Sequence, residues 1–508
     1  MKRTLALLIV LSMMLAVLVA CSGGSDDSKD TGKNPTTTAP GADTTADPNA
    51  ITTYLEPLDE SLAALNYGGD RTITIIARTL KNAWAANELW VEEITNDPVK
   101  DSVYNRNASV CDILGLKEIV QVSAEDQDEL QQKVNLMVGS GDQTYDIVAA
   151  SVAYGSPMIN QGLMYNLYEN DIDTYLDPTK PWWSQYWIDQ AEMGDRLYCI
   201  TGAPALSLTR LMFVMYYNKD LGANLGAEDM YKVVEEGRWT IDYLSNIIVD
   251  MYNDNDGNSI KDENDRYGLA INHYENCDMF WSAFDMNLIA KDEDGWFEIN
   301  TTDKEKIATA FDKVYALIYD NPGTYDTGST AGFSDARDMF AAGNLLFAAL
   351  HLKYAESQEF RNMQDEYGIL PIPKYDEKQK DYYTYAHDQY TIFMIPKTVA
   401  DPVMSGAVLE TMAYESYRTV QPTYYDMVLK GRYANDPQSR KMLDTITTNV
   451  KVDPAWIYGR QLSLPAAAVF RDLIYHEKKS FATAFAKTER MLPIYLKDMK
   501  KQISAFDF

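Results

Sequence analysis

The sequence predicts an α/β protein with two large lobes. The chain has 508 residues, more than one ordinary domain holds, and 46% of them are hydrophobic, which is enough for two sizeable cores. Within residues 71–150, apolar runs of strand length alternate with a helical pattern. That alternation favours a largely parallel sheet covered by helices.

The first lobe opens with three predicted strands. Residues 71–77, 118–122 and 145–150 are the apolar runs, and a helix is expected between the last two. Ser123 is the expected helix cap, with an acidic residue three positions on, and Gly141 is the expected stop. Ligands of open α/β sheets bind beyond the carboxyl ends of the strands, so the residues that follow the first and third strands are candidates.

The rest of the chain continues the alternation of strands and helices. Further strands are expected at 211–217, 267–271, 344–350 and 390–395. Thr240 caps a predicted helix with apolar side chains on one face, and the C-terminal part is mostly helical.

The N-terminus has the layout of an export signal. A basic start precedes an apolar run of signal-peptide length, which is at the low end for a membrane span. Leu18–Cys21 resembles the bacterial lipobox, in which the peptide is cut before a cysteine that then carries diacylglycerol. The alternative is a plain signal peptide near a chance cysteine. We predict a signal peptide at 1–20, and a lipidated Cys21 with a disordered polar tether at 21–50.

The composition narrows the choice of partners. The formal net charge is −30, and such an acidic chain repels nucleic acid, which excludes that class. The acidic balance does not favour anionic ligands either, and no cluster of Arg stands out. Beyond Cys21 three cysteines remain without CxxC spacing, so neither a disulfide framework nor a zinc site is expected. Aromatic residues are plentiful, with 35 Tyr and 9 Trp, and their faces can stack on the apolar faces of sugars.

The strongest local chemical signal is an acidic loop at 254–265. Side-chain oxygens fall at loop positions 1, 3, 5, 9 and 12, and position 7 can offer its carbonyl, which suits the oxygen ligands of Ca²⁺. The expected ligands are Asp254, Asp256, Asn258, Ile260, Asp262 and Asp265. Ser259 stands where calcium loops have glycine, and an aspartate closes the loop instead of a glutamate. The alternative is a solvated acidic turn. We expect no required cofactor, and a structural Ca²⁺ in this loop is the one candidate ion.

Several stretches together resemble the family 1 extracellular solute-binding proteins of bacterial ABC importers, the family that includes maltose-binding protein. Each stretch is short, but their order and spacing extend over most of the chain. They are Tyr145–Val148 with Gln161–Met164, Tyr216–Leu221, Glu236–Thr240, Met339–Asn344 and Tyr367–Pro373. The resemblance implies a periplasmic-binding-protein type II fold, in which two α/β lobes joined by hinge strands hold a ligand in the cleft between them.

The same resemblance implies the course of the chain and the role of the protein. The N-terminal lobe is expected at 67–211 plus 368–393, and the C-terminal lobe at 212–367 plus 394–508. The implied protein is a monomer without enzymatic activity that captures a carbohydrate, with an oligosaccharide favoured. It would deliver this ligand to the permease subunits of an ABC transporter, while a lipid anchor holds it at the extracellular face of the cytoplasmic membrane.

Ligand contacts are expected from both lobes, because a ligand shifts an open protein to its closed form only through differential contacts. Aromatic faces cover the C–H faces of sugar rings, while carboxylate and amide groups pair with hydroxyls. The expected contacts are Trp84, Ser151, Tyr154, Asn276, Asp278, Trp281, His351, Lys353, His387, Asp388 and Tyr390. For each Trp, core packing is the rival interpretation.

Two other classes of function stay open at this point. A secreted glycan-active hydrolase needs two carboxylates about 5–10 Å apart, and no local motif marks such a pair. A surface adhesin would bind glycan without delivering it to a permease. Turnover of a glycan would distinguish the first class, and neighbouring permease genes would distinguish the second.

Overall fold

The computed structural model describes residues 57–78, 84–328, 332–429 and 437–506. The predicted signal peptide, Cys21 and the predicted tether lie outside these residues. Within the described ranges the strands form one sheet of four strands, one of five and a separate two-stranded pair. None of the helices in these ranges has both the length and the apolar character that a membrane span requires.

The strands are short, and most of those in the two larger sheets are buried. They are β1 (Thr72–Arg78), β2 (Glu118–Ala124), β3 (Ile147–Ser151), β4 (Phe213–Asn218), β5 (Tyr267–Ile271), β6 (Ile289–Lys291), β7 (Phe297–Ile299), β8 (Thr324–Asp326), β9 (Leu345–His351), β10 (Tyr367–Leu370) and β11 (Thr391–Met394). Every strand predicted from the sequence is present, with its ends within about two residues of the prediction.

Helices connect the strands and form most of the C-terminal part. They are α1 (Glu60–Ala63), α2 (Pro98–Leu114), α3 (Gln127–Ser140), α4 (Val152–Asn160), α5 (Gln185–Ala191), α6 (Leu206–Arg210), α7 (Lys219–Asn224), α8 (Met230–Glu235), α9 (Ile241–Ile248), α10 (Glu275–Ala283), α11 (Lys304–Tyr315), α12 (Gly332–Ala341), α13 (Gln358–Asn362), α14 (Pro402–Glu415), α15 (Gln421–Leu429), α16 (Pro437–Thr448), α17 (Pro454–Ile457), α18 (Pro465–Val469), α19 (Arg471–Tyr475) and α20 (Phe481–Ile503).

The four-stranded sheet, called here the first sheet, has the order β11-β3-β1-β2. β1 pairs in parallel with both β2 and β3, as predicted, and β11 returns antiparallel to β3. Helix α2, which connects β1 to β2, was not predicted. Its buried face includes Arg106 and Asn107, so the apolar periodicity that reveals a helix is interrupted at two positions.

The predicted helix ends are partly correct. β2 extends past Ser123, so that residue belongs to the strand and Asp126 caps α3 by accepting a hydrogen bond from the backbone N–H of Glu129. Gly141 ends the same helix in the left-handed conformation, with φ of 73°, as expected. Thr240 caps α9, also as expected.

The five-stranded sheet, called here the second sheet, has the order β10-β4-β9-β5-β8. β4 is antiparallel to both β10 and β9, whereas β5 is parallel to both β9 and β8. The chain therefore passes to the second sheet between β3 and β4, and it returns to the first sheet between β10 and β11.

The lobe boundaries stay a prediction, but two elements lie differently from it. β10 spans the predicted boundary at 367/368 and pairs with β4 in the second sheet. Helix α14, which was assigned to the C-terminal lobe, packs on α2 beside the first sheet. The Ser405 hydroxyl of α14 donates a hydrogen bond to the carbonyl of Asp146, just before β3, at 3.1 Å.

Candidate ligand site

Four side chains predicted to bind ligand meet in one place, and we call them the Trp84 cluster. The Trp84 indole stacks on the imidazole of His387, with ring centroids 5.8 Å apart and 9° between the planes. It meets the ring of His351 edge-on at 5.3 Å. The Lys353 ammonium lies 3.4 Å from the centroid of the same indole. Residues that are far apart in sequence therefore form one group beyond the ends of β1 and β9.

The segment His387–Tyr390 connects this cluster with elements of both sheets. The segment leads into β11 of the first sheet, and two of its carbonyls accept hydrogen bonds from the backbone at the start of α4, at 3.0 and 3.2 Å. The His387 ring also faces α10, which follows β5 of the second sheet, with Nε2 3.7 Å from Oε2 of Glu275. The cluster thus has the position that the predicted fold gives to a ligand.

Several buried polar atoms without a hydrogen-bond partner belong to the Trp84 cluster or to the strand ends and helices that carry the predicted ligand contacts. Within the described residues, both ring nitrogens of His351 belong to this group. Its other members at the site are Arg78 Nε and Nη1, Gln127 Nε2, Ser151 Oγ, Asp278 Oδ1 and Arg471 Nε. Because buried polar groups are normally hydrogen-bonded, such a concentration is typical of a site whose partner is a ligand or ordered water.

Burial shifts the ionisation of several groups at the site. Asp278 pairs with Arg471, with Nη1 2.5 Å from Oδ2. Burial raises the pKa of Asp278 to about 7; the guanidinium opposes that shift and the Asp388 carboxylate adds to it. Burial also lowers the pKa of the Lys353 ammonium to about 8 and that of His351 well below its usual value. His351 is therefore neutral at physiological pH, with one donor and one acceptor nitrogen.

Sequence reasoning missed four polar residues of the site. Arg78 is the last residue of β1 and Gln127 is the first of α3, so the rule on carboxyl ends of strands could have found both. The guanidinium of Arg460 lies 3.7 Å from the ring centroid of Tyr154, a predicted contact in the first turn of α4. Arg460 and Arg471 come from the helical C-terminal part, where no local motif indicates a ligand contact.

Three predicted ligand contacts have partners inside the protein instead. Trp281 is fully buried and donates its indole N–H to Asp453 at 3.1 Å. The Asn276 amide donates to a carbonyl of β9 at 2.9 Å and accepts from the backbone of residue 272 at 2.8 Å. The Tyr390 hydroxyl is buried and accepts from the indole N–H of Trp187 at 2.6 Å. In this conformation the protein itself engages polar groups that a ligand would use, and the assignment of these three residues as ligand contacts stays a prediction.

The acidic loop brings together three of the predicted calcium ligands. One carboxylate oxygen from each of Asp254, Asp256 and Asp265 lies within 4.8 Å of the others, the one such acidic group in the described part of the chain. Ser259, at the position of the usual glycine, has a φ of 61° and so adopts the left-handed conformation that this turn requires.

The other predicted calcium ligands lie in the same turn. The Asn258 amide donates to Asp256 at 2.8 Å and to Asp262 at 3.4 Å. Ile260 has a hydrocarbon side chain, so its backbone carbonyl is the only oxygen it can offer. This set of carboxylate, amide and carbonyl oxygens fits a hard cation such as Ca²⁺.

A cavity of about 310 Å³ lies elsewhere, and none of the predicted ligand contacts lines it. Its walls come from α5, from the segment that carries β6 and from residues 451 and 454. The Trp84 cluster, with its unpartnered polar atoms, has the stronger chemical features of a ligand site.

Several solved structures of bacterial proteins have a similar fold. UgpB from Mycobacterium tuberculosis, solved in complex with glycerophosphocholine, matches with a TM-score of 0.53 and 16% identity over 79% of this chain and 97% of its own. The GacH receptor of Streptomyces glaucescens, solved unliganded and with acarbose, matches with a TM-score of 0.53 and 14% identity. The match covers 84% of this chain and 99% of the GacH chain. A third match is the galacto-N-biose/lacto-N-biose I-binding protein of an ABC transporter from Bifidobacterium longum, solved in complex with lacto-N-biose. Its TM-score is 0.51 and its identity 12%, over 85% of this chain and 98% of its own. No model of a protein family matches the chain, and no curated protein matches it in sequence.

These similarities confirm the predicted fold. The chain has the α/β architecture of the type II periplasmic-binding proteins, and it matches in structure the sugar-binding proteins of ABC importers. At 12–16% identity the similarity is one of fold, and the ligands in those structures are ligands of those proteins.

Proposed function

We propose that this protein reversibly binds a carbohydrate, with an oligosaccharide favoured, and delivers it to an ABC importer. The observation that carries the proposal is the Trp84 cluster, in which an aromatic ring and unpartnered buried polar atoms meet beyond the ends of β1 and β9. The fold supports the same class of function, since two structures that share it were solved with acarbose and with lacto-N-biose.

The chemistry of the cluster suits a sugar. An indole face can cover the C–H face of a pyranose ring, and the neutral His351 ring can donate to one hydroxyl and accept from another. The Asp388 carboxylate is a further acceptor. In the present conformation Lys353 and His387 cover the Trp84 ring, so a ligand reaches that ring only after these side chains separate. Contacts with elements of both sheets would then favour closure around the ligand.

The proposal includes placement at the extracellular face of the cytoplasmic membrane. It is supported by the export signal and by the lipobox-like sequence before Cys21. Each CH₂ of an attached acyl chain contributes about 0.8 kcal/mol of membrane binding, so two chains suffice to keep the receptor beside its permease.

We also propose that the acidic loop binds a structural Ca²⁺. The proximity of Asp254, Asp256 and Asp265 and the left-handed conformation of Ser259 support this assignment. Such an ion would hold the turn before β5 in place, and it has no part in ligand chemistry.

A thermal-shift screen of the mature protein against a panel of glycans tests the proposed function. A ligand at about 100 times its Kd adds about 2.7 kcal/mol to the free energy of unfolding, so a bound glycan gives a clear rise in Tm. We expect a rise with one class of glycan, 1:1 binding and no turnover. A rise confined to amino acids, peptides or metal ions contradicts the carbohydrate assignment, and turnover of a bound glycan favours the hydrolase instead.

A further inference from the structure

The first sheet carries a buried cation with unused hydrogen-bond donors. Arg78, the last residue of β1, is 3% exposed. Its Nη2 donates to the hydroxyl of Thr391 at 3.1 Å. Within the described residues Nε and Nη1 have no hydrogen-bond partner, and no carboxylate forms an ion pair with this guanidinium.

The Arg78 side chain extends across the carboxyl end of β3. β3 lies between β1 and β11, and Thr391 of β11 is paired with Ser151, the last residue of β3. Neighbouring strands are about 4.8 Å apart, so a side chain of β1 that bonds to β11 must pass over the end of β3. The guanidinium therefore lies at the edge where ligands of such sheets bind.

Two more unpartnered groups lie at the same edge. Within the described residues Ser151 Oγ and Gln127 Nε2 have no partner. They are adjacent, because the Gln127 side-chain oxygen accepts from the backbone N–H of Ser151 at 3.5 Å. A guanidinium and an amide NH₂ can only donate, and a hydroxyl can donate as well. Three buried donors, one of them positively charged, form a set that suits an anion.

The nearby carboxylate is already engaged. Glu88 accepts from the backbone N–H of Ser207 at 2.7 Å with one oxygen and from the Thr391 hydroxyl with the other. Its own carbonyl and that of Leu89 accept from a second buried guanidinium, Arg106, at 3.0 and 2.9 Å. Arg106 thus bonds to backbone carbonyls, and the Glu88 and Asp388 carboxylates act on the Arg78 guanidinium through space, without an ion pair among the described residues. An uncompensated buried charge is costly, so a ligand that brings a negative charge gains more here than a neutral one.

We propose that Arg78, with Ser151 and Gln127, binds a carboxylate of the ligand, and that the captured oligosaccharide is acidic and contains uronic acid. This inference rests on the proposed function and names its substrate class. Two further cations without an ion-pair partner in the described chain lie against predicted ligand contacts: Lys353 lies over the Trp84 ring and Arg460 over the Tyr154 ring.

This inference revises an expectation from composition. The net charge of −30 indicated that anionic ligands are disfavoured, and no Arg cluster was visible in the sequence. Arg78, Lys353 and Arg460 come from three distant parts of the chain, and each lies at or beside an element that carries a predicted ligand contact, which no count of charges or local motif can reveal.

Isothermal titration calorimetry of the mature protein tests the inference with a matched pair of probes. The probes are an oligogalacturonide and its methyl ester, which have the same backbone and differ in charge. We expect the acidic form to bind at least about tenfold more tightly, and we expect its affinity to fall as salt is raised. Arg78→Met should weaken binding of the acidic form by at least about 30-fold, as expected for loss of one partner of a buried charge pair, and leave the ester unaffected.

The control is Arg71→Met, which makes the same change of charge at an exposed position before β1. Equal or tighter binding of the ester overturns the inference while leaving carbohydrate capture intact, and binding of a sulfated oligosaccharide alone overturns the carboxylate assignment. Failure of every glycan to bind contradicts the proposed function itself. If Arg78→Met does not fold, the inference is decided by the affinities of the wild-type protein for the acid and for the ester. The affinity of Arg460→Met for the acid, a change at an exposed position, is measured alongside.

Discussion

Trp84 is the residue on which the ligand assignment depends most directly. Its ring packs against the edge of the hydrophobic core, and it also contacts two imidazoles and an ammonium. Trp281 is the contrasting case, because its ring is fully buried and its N–H is used by Asp453. The sequence could not separate these two residues, since each is a tryptophan near the end of a predicted strand or helix.

Replacing Trp84 by Ala should weaken glycan binding by about tenfold or more, because an aromatic contact contributes about 0.5–1.5 kcal/mol beyond the area it buries. Calorimetric titration with the glycan that raises Tm measures the change. Trp296→Ala is the matched control, as Trp296 lies just before β7 and contacts Arg196 and Lys500 instead of the cluster. Equal losses in the two variants would show that Trp84 is not a ligand contact.

A second residue with a testable role is Glu410, which is buried in α14. Its buried carboxylate accepts the indole N–H groups of Trp182 at 2.9 Å and Trp183 at 2.8 Å. Burial raises the pKa of this carboxyl to about 7. The folded protein therefore binds the proton more tightly than the unfolded chain does, and stability is lost as the pH rises from the ordinary carboxyl pKa of about 4.3 towards 7.

Glu410→Gln should therefore flatten the fall of Tm between pH 5 and pH 8. The variant also loses one acceptor for an indole N–H, so its Tm at acidic pH is lower than that of the wild type. The slope of Tm against pH is therefore the informative quantity. Differential scanning calorimetry at several pH values measures it, with Glu293→Gln as a control at an exposed position. An unchanged slope would mean that Glu410 is already ionised in the folded protein at pH 5.

At the scale of elements, apolar strands were easy to predict and a polar-faced helix was not. The predicted strands are present because each is a short run of buried apolar residues bounded by turns. Helix α2 was not predicted, because Arg106 and Asn107 interrupt the apolar periodicity of its buried face. There both side chains donate hydrogen bonds to the carbonyl of Leu89. A polar residue that finds its partner only in the folded protein is invisible to a periodicity argument.

The acidic loop shows a similar limit. Of the four carboxylates that its sequence predicts to share a cation, Asp254, Asp256 and Asp265 approach one another because one tight turn carries them, whereas Asp262 is not in that group. The proposed carboxylate site at Arg78 could not be found from the spacing of one stretch, because its groups come from β1, α3 and β3. Local chemistry can be read from one stretch of chain, whereas a site built from several elements requires the fold.

Chelation should lower the Tm of the mature protein, and added Ca²⁺ should restore it. An ion bound only by the folded state stabilises that state by mass action, and its removal leaves the Asp254, Asp256 and Asp265 carboxylates to repel one another. Asp265→Asn should abolish the response to Ca²⁺, whereas Asp294→Asn, in an exposed turn, should retain it. A Tm that does not respond to chelation or to Ca²⁺ would identify the loop as a solvated turn.

At the scale of the whole molecule, the proposed anchor determines where the receptor works. Cys21→Ala should move the protein from the membrane fraction to the soluble fraction of expressing cells, since the acyl chains are its proposed attachment. Immunoblotting of the two fractions measures the shift. Cys111→Ala removes a partly buried thiol of the body and should leave the distribution unchanged. Retention of the Cys21 variant at the membrane would contradict lipid anchoring.

The late return of β11 to the first sheet also governs how this protein can fold. Residues 391–394 supply the edge strand beside β3, so the sheet stays incomplete until most of the chain has been synthesised. Until then the wholly buried strand Ile147–Ser151 has an open, apolar edge, which is a template for pairing with other chains. Contacts this distant in sequence also make folding slow. A product truncated before residue 391 is therefore expected to aggregate, although it retains three strands of that sheet.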